Sequence, residues 1–217
     1  TETIALLASV RLDPPAIRPR PTKEEIDAKL RMIPAWAENW TALNFRWLEN
    51  YLKNAPINNV HVHSLASLGG LSTQQYVEGQ FELGPDEALI YETDVPKTCR
   101  YWGLQITDML MVSIDYMNRQ TSLNAHSAKL DKDGKFRAVI SAADPGVPNW
   151  LDNAGYARGG IIGRWTECSS APAPVITKVK SGEVRKYLPA DTPTVTAAAR
   201  DASIRERRKG AQLRRRW

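Results

Sequence analysis

Two arginines, one histidine and a cluster of loop carboxylates are the residues whose types and positions could do chemistry. Arg100 and Arg164 stand inside runs that are otherwise apolar and aromatic, CRYWGLQIT and GGIIGRWTE. An arginine in such a place is either an edge residue in solvent or a buried cation with a carboxylate partner. Asp144, Asn149 and Asp152 lie together in DPGVPNWLD, where two prolines and a glycine stiffen the backbone and Trp150 adds an aromatic surface. The local alternative is a plain turn at Asp144-Pro145-Gly146, with Asn149 bonding neighbouring amides. Histidine is the side chain suited to general acid or base work, so His126 is the natural candidate, with Asp144 to orient it or to activate water. Arg100 or Arg164 would hold an anionic group, bidentate if it is a carboxylate. Trp102, Trp150 and Trp165 would wall such a site. The set suits binding of a small, partly apolar anion, with hydrolysis as its reaction. The sequence contains no Gly-x-Ser-x-Gly elbow, no glycine-rich phosphate loop and no zinc signature, so no cofactor is expected. His61-Val62-His63 would face one way on a strand, but Asn58-Asn59 and Ser64 make it read as an exposed link. Spacing places no companion ligands, so no metal is expected either.

The elements that must position these residues are mostly short strands. QYVEGQFEL, EALIYETDV, CRYWGLQIT, GGIIGRWTE and VITKVK are strand-like and separated by turn residues. LNAHSAKLD and KFRAVISA flank Asp131-Lys132-Asp133-Gly134, a hairpin turn in which glycine takes a positive φ. Strands joined this tightly pair antiparallel, because parallel neighbours need long crossovers. Alternation then sorts the side chains. Arg100, Trp102, Leu104 and Ile106 share one face and Tyr101, Gln105 and Thr107 the other. Asn124 points with His126, and Ile162 with Arg164, opposite Ile161 and Trp165. The expected class is mainly β, an antiparallel β-sandwich spanning 71–190. A proline-rich connector and helices (1–70) come before it, and a basic helical tail (191–217) follows.

In the first segment, the prolines of RLDPPAIRPRPT make an extended connector. Thr22 to Glu25 then match a capping box, predicting a short helix that ends near Met32. Pro34 should restart the chain in a second helix, on which Trp36, Trp40, Leu43, Trp47, Leu48, Tyr51 and Leu52 form an aromatic stripe. That stripe would pack on the body or on a partner subunit. It carries the rival reading, a structural module in a homo- or hetero-oligomer without catalysis.

The chain has 217 residues and a net charge of +5. Residues 200–217 hold eight Lys/Arg against two Asp/Glu, and the other 199 hold 21 against 22. The body is thus nearly neutral, and the run Arg205, Arg207, Arg208, Lys209, Arg214, Arg215, Arg216 reads as a solvated or docked helix face. A nucleic-acid partner is not expected. No apolar stretch reaches the ~20 residues of a membrane span. The opening TETIALLASV lacks the basic start of a signal peptide. Cys99 and Cys168 can form one bridge or stand as two reduced core thiols. The second is expected, and with it a cytoplasmic location.

The blocks YVEGQFELGPDEALIYETDVPKTCRYWGLQITDML, NRQTSLN and DPGVPNWLDNAGYARGGIIGRW, spread in order over about residues 70 to 190, resemble the bacterial family catalogued as domain of unknown function 1214. The resemblance implies a β-sandwich of jelly-roll type and no established reaction. It also implies that Tyr101, Trp102, Asn124, Asp144, Asn149, Trp150 and Arg164 are the positions of interest.

Overall fold

The computed structural model describes residues 19–213, with backbone only at 51 and 52. The opening segment, most of the proline connector, Arg214 to Arg216 and the side chains of Tyr51 and Leu52 lie outside the described residues. The chain divides into two compact units, Thr1–Leu43 and Asn44–Trp217.

The first unit is built on helix α1 (Lys23–Asn54), which continues into the second. Its start is the expected capping box: Thr22 N–H donates to Glu25 Oε2 at 2.9 Å, and Glu25 N–H to Thr22 Oγ1 at 3.2 Å. The expected break at Met32–Pro34 is absent, and one helix of 32 residues runs through Pro34. The proline removes a single backbone donor, and the strong helix formers on either side keep the remaining ladder. Trp36 and Trp40 stack with centroids 6.1 Å apart and are 64% and 54% exposed.

The second unit is mainly β. One sheet is fully antiparallel and runs in the order β1 (Asn59–Ser64), β2 (Gln74–Glu82), β8 (Arg158–Cys168), β4 (Cys99–Thr107), β5 (Ser122–Asn124). The other runs β7 (Trp150–Asp152), β6 (Phe136–Ser141), β3 (Glu87–Thr93), β9 (Val175–Lys180). It is mixed, because β7 lies parallel to β6. Val77, Phe81, Leu104, Ile106, Ile161 and Trp165 from the first sheet and Leu89, Tyr91, Phe136, Ile140 and Leu151 from the second form one core. A smaller cluster of Ala88, Ile90, Val139, Val147, Trp150, Val179 and Val184 covers the opposite side of the second sheet. Strand β3 is buried on both faces for this reason, and its ALIY run does not alternate.

Several expectations change here. The β body begins at Asn59, inside the segment assigned to connector and helices. His61 and His63 therefore sit on an edge strand, not in an exposed link. The turn at Asp131–Gly134 forms, with Gly134 at φ 81°, but the two arms do not make a hairpin. Strand β5 stops at Asn124 in the first sheet, β6 belongs to the second, and only the bridge Leu130↔Phe136 joins the arms near the turn. The segment Asn149–Asp152, read as loop, supplies β7. Cys99 and Cys168 face each other across β4 and β8 and are joined in a disulfide, so they are not separate thiols. Antiparallel register brings together residues 69 apart, a juxtaposition that cysteine spacing does not reveal.

The last element among the described residues is helix α2 (Ala197–Gln212), capped by Thr196, whose hydroxyl accepts from Ala199 N–H at 3.2 Å. It is fastened to the β body by side chains. Arg200 binds Asp144, Gln120 and the Val147 and Pro148 carbonyls. Arg207 donates to Ser122, and Arg208 to Asn118 at 2.8 Å. Arg205 and Lys209 pair within the helix with Asp201 and Glu206. No helix among the described residues is long and apolar enough to cross a membrane.

Candidate functional site

Strand register defines the face that could bind a ligand. One row across the first sheet reads His63, Tyr76, Arg164, Gly103, Asn124, and the next reads His61, Glu78, Ile162, Gln105, Ser122. These side chains point away from the core, because Val77, Leu104, Ile161 and Trp165, their neighbours along the strands, are buried. Over β4, β5 and β8 this face sinks into a hollow of about 580 Å³. Tyr101, Gln105, Ser113, Ser122, Asn124 and Arg164 supply its polar lining, and Leu104, Met111 and Ile162 part of its apolar surface. Gly103 forms the floor. A Cβ there would come within 2.6 Å of the Tyr101 hydroxyl, so glycine is what allows the phenol to lie across the sheet.

The hollow is rich in donors and carries one sign of charge. Its lining contains no Asp or Glu. The Arg164 guanidinium lies over the Tyr76 ring, 5.6 Å from the centroid, and has no carboxylate partner among the described residues. The Tyr101 hydroxyl and the Asn124 side-chain NH₂ make no hydrogen bond among the described residues. Asn124 Oδ1 is occupied instead, accepting from the His126 and Ser127 N–H groups at 3.0 and 3.1 Å. Gln105 is held by Ser113 at 2.7 Å. From α2, Arg207 donates to the Ser122 carbonyl at 2.7 Å and to its hydroxyl at 3.1 Å. Burial draws the Arg207 guanidinium below its ordinary pKa.

Of the residues singled out by sequence, Tyr101, Asn124 and Arg164 meet here, and the others do not. Trp102 is a core residue, 6% exposed and packed on Phe136. Arg100 sits at the solvent end of β4 and pairs with Glu167 at 3.0 and 3.1 Å, the edge alternative for a strand arginine. His126 is exposed in the turn after β5, beyond the point where strand alternation applies. Asp144 is taken by Arg200 at 2.9 Å and by the Gly146 N–H at 2.8 Å, so it orients neither His126 nor a strand arginine. Asn149 clamps backbone: its amide donates to the Lys129 and Arg137 carbonyls and accepts from Lys129 N–H. Trp150 is buried under Arg200, whose guanidinium lies 5.2 Å from the ring centroid. Its indole N–H donates to Ser141 at 3.1 Å. Asp152 pairs with Arg119 at 2.8 Å.

Gln105, Ser122 and Ile162 were missed as lining. Each lies two residues from a lining residue on its own strand, so period-two spacing carried the signal. The insertion of β8 between β2 and β4 did not show in sequence order. The Arg200–Asp144 pair bridges 56 positions and had no local signal at all. On β1, His63 Nε2 meets Glu78 Oε2 at 2.7 Å and its ring stacks on His61. No group of three His, Cys, Asp or Glu among the described residues could hold a metal ion.

No family model matches the chain, and no curated protein matches it. Among solved structures, an uncharacterised protein from Burkholderia cenocepacia is similar over 79% of this chain, with 28% identity and a TM-score of 0.72. The match covers 48% of that protein, so this chain spans about half its length. A protein from Vibrio parahaemolyticus matches over 53% of this chain and 34% of its own, with 24% identity and a TM-score of 0.42.

Proposed function

We propose that the hollow over β4, β5 and β8 binds a small organic anion, a carboxylate that also carries hydroxyl groups, with Arg164 as its anchor. The observation that carries this is the set of unengaged donors, Arg164, Tyr101 and Asn124, in a lining without acidic residues. Two charge-assisted hydrogen bonds from a guanidinium suit a carboxylate, and the Tyr101 hydroxyl and Asn124 amide suit neighbouring hydroxyls. Hydrolysis is not part of this reading, because neither His126 nor Asp144 lines the hollow. We place the chain in the family called domain of unknown function 1214, with a jelly-roll arrangement of its two sheets, on the motif blocks given above. The Cys99–Cys168 disulfide favours an oxidising compartment over the cytoplasm.

Calorimetry against hydroxy- and dicarboxylates is the test. A binding carboxylate should lose roughly ten- to hundredfold in affinity in Arg164→Gln, the worth of a charged hydrogen-bonding partner. Affinity unchanged by Arg164→Gln, or no carboxylate bound at all, refutes the reading.

The exposed face of α1 supports a second reading, assembly with another copy of this chain. Ile26, Leu30, Ile33, Ala37 and Trp40 recur at steps of four and three, the spacing of a coiled-coil seam, and the four large ones are all exposed. Met32, Trp36 and Leu43, also exposed, widen this apolar face. Light scattering should give a dimer that Leu30→Glu with Trp40→Glu converts to monomer. A parent chain that is already monomeric at tens of micromolar removes this reading.

A further inference from the structure

A second hollow, of about 410 Å³, lies on the far side of the second sheet and shares no lining residue with the first. Its walls are apolar: Val139 on β6, Val147 and Pro148 on the stiffened loop, and Leu188, Pro193 and Val195 on the segment leading into α2. That segment is held open as a wall and does not fill the space. Arg185 donates to the Thr192 carbonyl at 2.7 Å and to the Gly146 carbonyl at 2.8 Å, tying the segment to the loop. Val195 N–H adds a bond to Gly146 at 2.9 Å, and Asp191 pairs with Lys132 at 2.7 Å. The hollow is therefore a framed extension of the smaller apolar cluster, within the size range of ligand sites.

Charge selects the occupant. Three charged residues line the space, Lys129, Asp131 and Arg137. Arg137 and Asp131 pair at 2.7 Å, and Arg137 is held from behind by Glu92 and Asp133, outside the lining. Lys129 has no acidic partner among the described residues. We propose that this hollow binds an aliphatic monocarboxylate of about eight to ten carbons, its chain against the valine, leucine and proline walls and its carboxylate on Lys129. The site is independent of the Arg164 hollow.

Titration calorimetry with hexanoate, octanoate and decanoate, each below its micellar concentration, tests this directly. Each added methylene should tighten binding by about fourfold. Val195→Trp, which fills the space, should weaken octanoate at least tenfold, and Arg164→Gln should leave it unchanged. Lys129→Gln replaces an exposed side chain and cannot unfold the protein. It should weaken octanoate about fivefold and leave 1-octanol untouched. No saturable binding of any chain length, octylamine bound more tightly than octanoate, or octanoate affinity insensitive to Lys129→Gln each overturns the proposal. Loss of octanoate binding in Arg164→Gln would also overturn it, by moving the ligand to the other hollow.

Discussion

Arg200→Met should cost about 3–5 kcal/mol of stability, a fall in Tm on the order of 10 °C, while Arg205→Met five residues later should change it by less than about 0.5 kcal/mol. Both arginines belong to the basic stretch 200–217, and composition treats them alike. Their surroundings differ. The Arg200 side chain is 9% exposed, pairs with Asp144 at 2.9 Å, donates to Gln120 Oε1 at 3.2 Å and caps two loop carbonyls over the Trp150 ring. Removing it leaves Gln120 Oε1 and the Val147 carbonyl buried without that donor, strips Asp144 of its cation and frees α2 from the loop. Arg205 bonds Asp201 one turn away in solvent, where an ion pair contributes little. Thermal and urea denaturation of the two variants reads the contrast. Equal, small effects would mean that α2 is not pinned through Arg200.

Reducing the Cys99–Cys168 bridge should lower stability by about 2–4 kcal/mol, the usual worth of a cross-link closing a long loop. The two cysteines are 69 positions apart, so the bridge restricts a large part of the unfolded chain. It also ends the β4–β8 ladder beside Arg100 and Glu167. Melting with and without a phosphine reductant checks it, with Cys99→Ser/Cys168→Ser as the genetic counterpart. A parent chain whose melting ignores the reductant would show that the thiols are not bridged.

The candidate site is partly legible in the sequence. Alternation along CRYWGLQIT and GGIIGRWTE put Tyr101 opposite Trp102 and Arg164 opposite Trp165, and both assignments match the faces observed. Alternation failed at the strand ends. Arg100 was grouped with the core side of β4 yet reaches solvent through Glu167. His126 was grouped with Asn124 but lies in a turn, where period two no longer holds. In the loop from Asp144 to Asp152, the sequence offers polar groups either to a ligand or to the local backbone. They serve the fold, the second of these, because buried loop backbone must find partners, and Asn149 and Asp144 supply or hold them.

Local chemistry was within reach of the amino-acid order alone: the capping box at Thr22, the turn at Gly134, and the faces of β4 and β8 away from their ends. Each of these depends on residues only a few positions apart, whose geometry the backbone dictates, while the charge split is a plain count along the chain. Which faces lie side by side was decided only by the tertiary structure. It placed β8 between β2 and β4, carried the chain from one sheet to the other at residues 125–135, and set Arg200 on Asp144 and Cys99 against Cys168. Those choices come from burying both sheets' apolar faces in one core, a condition on the whole chain that no local spacing encodes. The hollow that gathers Arg164, Tyr101 and Asn124 is a consequence of that packing.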